Sequence, residues 1–171
     1  KSAGQEEPYA AGMTVQGPRP QTDNPQYRLF DLTPPRTPNW LVAKPDAEQL
    51  GALQSLLKSD NRQFGALRRQ LKWNAARLVR QPQGARTTVV VPGRVVRNRE
   101  AFYEAQRHHV FVRGDAGYAY LGEVPGKPDS YVDIDGNDLP GLVVSEGCDG
   151  WCVSLWSLAG GLRQVARFGG H

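Results

Sequence analysis

One change of period constrains the fold more than any other feature. Leu50, Leu57, Phe64, Leu71 and Leu78 recur every seven residues, with Leu53 and Leu67 at the intermediate position of the repeat. That spacing stacks apolar side chains along one side of a helix. From Thr87 the pattern is different. "TTVVVPGRVV" (87–96) is β-branched, "HVFVRGDAGYAYLGEV" (109–124) reads as two strands about a Gly-Asp-Ala-Gly turn, and "LVVSE", "CVSLWSL" and "LRQVARF" follow between Gly- and Asp-rich breaks. Helix first and strands afterwards, without regular alternation, predicts an α+β chain with a small antiparallel β-meander.

The sequence divides into three parts. Residues 1–45 hold eight of the thirteen prolines and predict an extended Pro-rich N-terminal arm. "QYRLFDL" and "NWLVA" (39–43) are its apolar anchors. Residues 46–82 are the helical segment. Asp46 follows Pro45 as an N-cap, and Glu48 lies in the first turn, where the helix dipole favours acid. The "KSDN" stretch (58–61) predicts a break with Asp60 capping a second helix, which Pro82 and Gly84 would end. Residues 83–171 form the antiparallel β part, with "AFYEAQ" (101–106) as a short helical turn.

Charge is unevenly spread. Residues 58–99 carry eleven basic side chains and one acidic, whereas residues 100–171 carry five basic and ten acidic. Arg62, Arg68, Arg69, Lys72, Arg77 and Arg80 would decorate the second helix. They form a solvated face, a match for the acidic part of the same chain, or a surface for an anionic partner. The block lacks a nucleic-acid fold signature, and Phe64 belongs to the apolar seam, so nucleic acid is set aside as a partner. No apolar run approaches the roughly 18 to 20 residues that span a bilayer.

Cys148 and Cys152 are the only cysteines, and they flank Asp-Gly in "GCDGWC". They read either as a disulfide across a tight turn, which an oxidising compartment permits, or as two free thiols on a hairpin. "RGD" (113–115) reads as turn chemistry. His108 and His109 are adjacent on a strand and therefore face opposite sides, one expected in the core and the other exposed.

The remaining signal is "YVDIDGNDLPGLVVSE" (131–146). Close carboxylates repel, and the alternation of Asp133, Asp135 and Asn137, followed by Asp138, suits a hard cation taking oxygen ligands from one loop. This stretch resembles the acidic loop of FG-GAP or VCBS-type β-propeller repeats, which bind calcium there. The resemblance covers about 16 residues well, and 109–168 loosely as one blade. It implies a propeller-blade-like sheet, and calcium held by Asp133, Asp135 and Asn137 with Asp138 as a substitute ligand; the other reading is a loop without a cation, whose acids cap turns or meet an Arg. Two positions depart from the repeat: Asp138 stands where the family has glycine, and Gly141 where it has a carboxylate ligand.

Similar folds occur in periplasmic inhibitors and immunity proteins of cell-wall hydrolases. The resemblance thus implies a periplasmic or secreted, non-enzymatic binding protein acting on a peptidoglycan-degrading enzyme or a secreted toxin. Its contact loops would be "EVPGKPDS" (123–130) and "EGCDGW" (146–151), with Lys127, Asp129, Asp149 and Trp151 as partner-binding residues. Two other classes compete. One is an envelope scaffold that docks through residues 1–45. The other is an enzyme or binder acting on an anionic polymer, with Glu100, Glu104 and His108 at helical spacing and His109 beside them.

Overall fold

The computed structural model describes residues 39–97, 104–148 and 150–170. Nearly all of the expected arm lies outside them, as does Asp149. Within them the chain is α+β: two helices and nine antiparallel strands in two meanders.

Helix α1 (Ala47–Ser59) starts where the sequence places it. Asp46 Oδ1 accepts the Gln49 N–H at 2.8 Å, and Gln49 Oε1 accepts the Asp46 N–H at 2.9 Å, a reciprocal capping box. Asp60 leaves the helical region (φ −130°) and its Oδ1 accepts the Gln63 N–H at 2.9 Å, which starts α2 (Asn61–Arg68). The two-helix reading of 46–68 therefore holds.

Beyond Arg68 the helix stops, well short of Pro82. The Lys72 N–H donates to the Pro92 carbonyl at 2.8 Å, a short 3₁₀ turn follows (Trp73–Ala75), and Arg77–Arg80 is strand β2. β2 pairs with β1 (Leu41–Ala43) on one side and with β3 (Thr87–Arg97) on the other. Leu71 and Leu78 keep their core positions, 8% and 5% exposed, but reach them from a connector and a strand. The seven-residue spacing identified core residues, and tertiary pairing chose the element.

The five-stranded sheet has the order β1-β2-β3-β4-β5, where β4 is Glu104–Gly114 and β5 is Gly117–Val124. Gln106 belongs to β4, not to a helical turn; residues 101–103 are outside the described residues. β3 continues through Pro92-Gly93 with a bulge between Pro92 and Val95. β4 and β5 form the expected hairpin, Gly114 opposite Gly117, and the φ of +102° at Gly117 is one that glycine adopts freely.

At Pro125-Gly126 the chain changes sheets. The four-stranded sheet has the order β6 (Lys127–Val132), β7 (Gly141–Glu146), β8 (Trp151–Ser157), β9 (Arg163–Gly170). The corner is tight: a Cβ on Gly126 would collide with the Ser145 carbonyl of β7. The stretch expected as a protruding loop, 123–130, is thus strand, corner and strand.

The layers follow from alternation along the strands. Val89, Val91 and Phe111 of the five-stranded sheet pack with Leu53, Leu57 and Phe64 of the helices. Val110 and Val124 point the other way, onto Leu142, Val144, Leu139 and Leu158. β4 is therefore covered on both faces, and this buries both histidines: His108 is 6% and His109 4% exposed. The expectation of one exposed histidine fails because a second sheet lies over the strand's other side.

Candidate binding surfaces of the four-stranded sheet

The acidic loop and the cysteine pair lie at opposite ends of the four-stranded sheet. Val132 opposite Gly141 marks one end, and Glu146 opposite Cys152, itself opposite Gly169, marks the other.

At the first end each candidate ligand has its own protein partner. Asp133 Oδ1 accepts the Gly136 N–H at 2.8 Å, and Asn137 Oδ1 accepts the Leu139 N–H at 2.8 Å. Asp135 Oδ2 accepts the hydroxyl of fully buried Ser157 at 2.6 Å. Asp138 Oδ2 accepts the Arg86 N–H at 3.0 Å, and its other oxygen lies 3.5 Å from the Arg86 guanidinium. The Gln81 amide donates to the Asn137 carbonyl at 3.1 Å. The left-handed backbone angle falls on Gly136 (φ +65°), not on Asp138. Each of these side chains is thus engaged by a protein group, and among the described residues no group of three or more His, Cys, Asp or Glu side chains could hold a metal ion. As arranged, the loop does not fit calcium; it ties the second sheet to the β2–β3 connection.

At the other end Cys148 and Cys152 form a disulfide, with Cα atoms 6.1 Å apart. Beside it, Glu146 Oε2 accepts from Arg167 Nε at 3.0 Å. Trp151, the first residue of β8, is 61% exposed.

The sheet's two faces differ from those of an ordinary half-solvated sheet. Leu142, Val144 and Ser154 point inward and are buried. The outward positions should then be polar. Instead Val143, Leu155 and Ala166 stand in one cross-strand row, and Val153 and Phe168 in the next, all half-exposed. Trp151 extends this patch beyond the second row. None of them is part of either core. The signal was in the sequence: "WCVSLWS" is too apolar at its odd positions for a sheet with one wet face.

A cleft of about 410 Å³ lies on the inner side of the molecule's first sheet, beside β6. Its floor comes from the five-stranded sheet, through Val42, Arg77, Val90 and His108; its wall is β6, through Lys127, Pro128, Asp129 and Tyr131. Lys127 and Asp129, expected in a loop, are here on a strand. Asp129 accepts the Ser145 hydroxyl and lies 3.2 Å from Lys127 Nζ, and both hold its carboxyl below the usual range. Burial pushes the Tyr131 hydroxyl up, while nearby Arg77 acts the other way.

The six basic residues do not share a face. Arg62 and Arg68 are on α2, Arg69 caps it, and Lys72 is on the connector. Arg77 and Arg80, three apart on β2, face opposite sides. None is ion-paired to a described carboxylate; among the described residues the ion pair between the basic block and the acidic part is Arg86 to Asp138.

The histidines sit in packed surroundings. His108 Nδ1 lies 3.3 Å from the Gln106 carbonyl, and His109 Nδ1 3.1 Å from the Tyr120 hydroxyl. Burial lowers the pKa of both, His109 to about 4. Glu123 is 3.8 Å from His109, but Arg107 engages it. Glu104 and His108 share a strand, where residues four apart stand roughly 13 Å from each other, too far for a helical acid–base pair.

No protein-family model, curated protein or solved structure matches this chain.

Proposed function

We propose that this chain is an exported, non-enzymatic binding protein whose partner docks on the outer face of the four-stranded sheet. The observation that carries this reading is the apolar outer face, Val143, Val153, Leu155 and Phe168, with Trp151 at its end. A contiguous apolar surface, half-exposed at four residues and exposed at Trp151, is costly in water and marks an interaction site. Exposed Trp at a rigid edge is the usual anchor of such an interface, and the Cys148–Cys152 bond restrains the turn that carries it, which lowers the ordering cost of binding.

The disulfide favours an oxidising compartment, hence periplasmic or secreted placement. Among the described residues no helix is long and apolar enough to cross a membrane. A four-stranded antiparallel meander is also the unit of a propeller blade, which agrees with the resemblance of residues 131–146 to those repeats. A blade within a propeller is covered on both faces by its neighbours. Here one face rests on the five-stranded sheet, and no described element covers the other, where we place the partner. On that resemblance the partner is a peptidoglycan-degrading enzyme or a secreted toxin.

The test uses the full chain in two assays: capture of an enzyme from envelope and culture extracts, and inhibition of cell-wall lysis by the captured enzyme. Trp151→Ala and Val153→Lys should each lose both activities with the fold intact by circular dichroism. Retention of both by the double variant would exclude this face, and absence of lytic inhibition would remove the inhibitor assignment.

A further inference from the structure

The cleft beside β6 is a second surface, independent of the outer face, and its chemistry is different. β6 is an edge strand: β7 pairs with one side of it, and no described strand pairs with the other. Its open side borders the cleft, whose floor is the five-stranded sheet near its edge strand β1, exposed at Val42 and Arg77 and buried deeper in at Val90 and His108. The floor is apolar at Val42, Ala75, Val90 and Pro92, and Val42 is 51% exposed. Three charged side chains line the cleft. Lys127 and Asp129 pair with each other at 3.2 Å, which leaves Arg77 as the cation without a described carboxylate partner. The volume is within the roughly 300–1,000 Å³ range of ligand clefts.

We infer that this cleft binds an extended peptide segment of a partner, which adds as a strand along the open edge of β6 and sets an acidic side chain against Arg77. Strand addition would satisfy the free backbone groups of Asp129–Val132, since Pro128 has no N–H to offer. Side chains on one side of the added strand would cover the exposed Val42, and a carboxylate among them would meet the guanidinium in two parallel hydrogen bonds. Peptides with Gln or Lys at that position would fit the floor equally well but lack the charge match.

The test uses three labelled peptides, acetyl-Val-Thr-Glu-Thr-Val-amide, whose valines share a side with the central Glu in an extended strand, and its counterparts with central Gln or Lys. Binding to the full chain is read by fluorescence anisotropy and by hydrogen exchange. The Glu peptide should bind about ten-fold more tightly than the Gln peptide, the loss set by one charge-assisted hydrogen-bond pair, and it should slow exchange in β6. Arg77→Glu, at an exposed position, should reverse the preference between Glu and Lys. Outer-face variants should leave all three affinities unchanged, so failure here and failure of the proposed function are distinguishable. Equal affinity of the three peptides, no binding by any, or protection outside β6 would overturn the inference. So would protection of β6 without peptide. If it rises with protein concentration the occupant is a second copy; if it does not, the edge is already filled within the chain.

Discussion

The Asp138 carboxylate accepts the Arg86 backbone N–H at 3.0 Å and faces its guanidinium at 3.5 Å, joining the acidic loop of one sheet to the β2–β3 connection of the other. In the calcium reading of the loop Asp138 is the fourth ligand, at the position where the repeat that this stretch resembles has glycine. The arginine takes that place, and the loop's remaining carboxylates are turned to Ser157 and to its own backbone.

Calcium should therefore leave the melting temperature unchanged. A site filled at a hundredfold over its Kd would instead add about 2.7 kcal/mol, which differential scanning fluorimetry with and without a chelator resolves easily. Asp138→Asn should cost about 1 kcal/mol or less, because both partners are partly exposed.

Reduction of the Cys148–Cys152 bond should lower stability by about 2 kcal/mol, the chain-entropy value for so short a loop. Urea unfolding of the Cys148→Ser, Cys152→Ser double variant measures it. Added reductant should not change the double variant further.

Acid should destabilise the protein in the window between pH 6.5 and about 4. His109 is neutral in the folded state because burial opposes its charge, and its pKa falls from 6.5 to about 4. The unfolded chain binds that proton near pH 6.5, so stability is complete above pH 6.5 and declines as pH falls toward 4. The loss is up to about 3 kcal/mol, at 1.36 kcal/mol per pKa unit. His108, also shifted down by burial, acts in the same direction. His109→Gln should flatten this part of the pH–stability curve measured by chemical denaturation, and an unchanged slope would assign it to other groups.

Two glycine substitutions should have opposite signs. Gly126→Ala forces a methyl group into the β7 backbone at the corner between the sheets and should cost at least about 1–3 kcal/mol. Gly51→Ala, inside α1 with nothing within 4 Å of the added carbon, should stabilise by about 0.4–1 kcal/mol. Paired thermal melts of the two variants check both.

The sequence by itself determined the local events. Asp46 and Asp60 begin helices because their side chains reach the N–H three residues on, within a few bonds of their own backbone. Gly114-Asp-Ala-Gly117 turns a hairpin, and Cys148 and Cys152 are close enough in the chain to pair across one turn. The strand pattern after Thr87 also fixed the class as α+β. Tertiary structure decided what depends on distant neighbours. Arg77–Arg80 became a strand because β1 and β3 offered hydrogen bonds on both sides, which outweighed a helical apolar spacing. His108 and His109 are both buried because a sheet from residues 127–170 covers one face of β4 while the helices cover the other. Asp138 meets Arg86 across 52 positions of chain. The cleft and the apolar outer face are likewise products of layer stacking: whether a strand's side is core or surface depends on what lies over it, and no period along one strand records that.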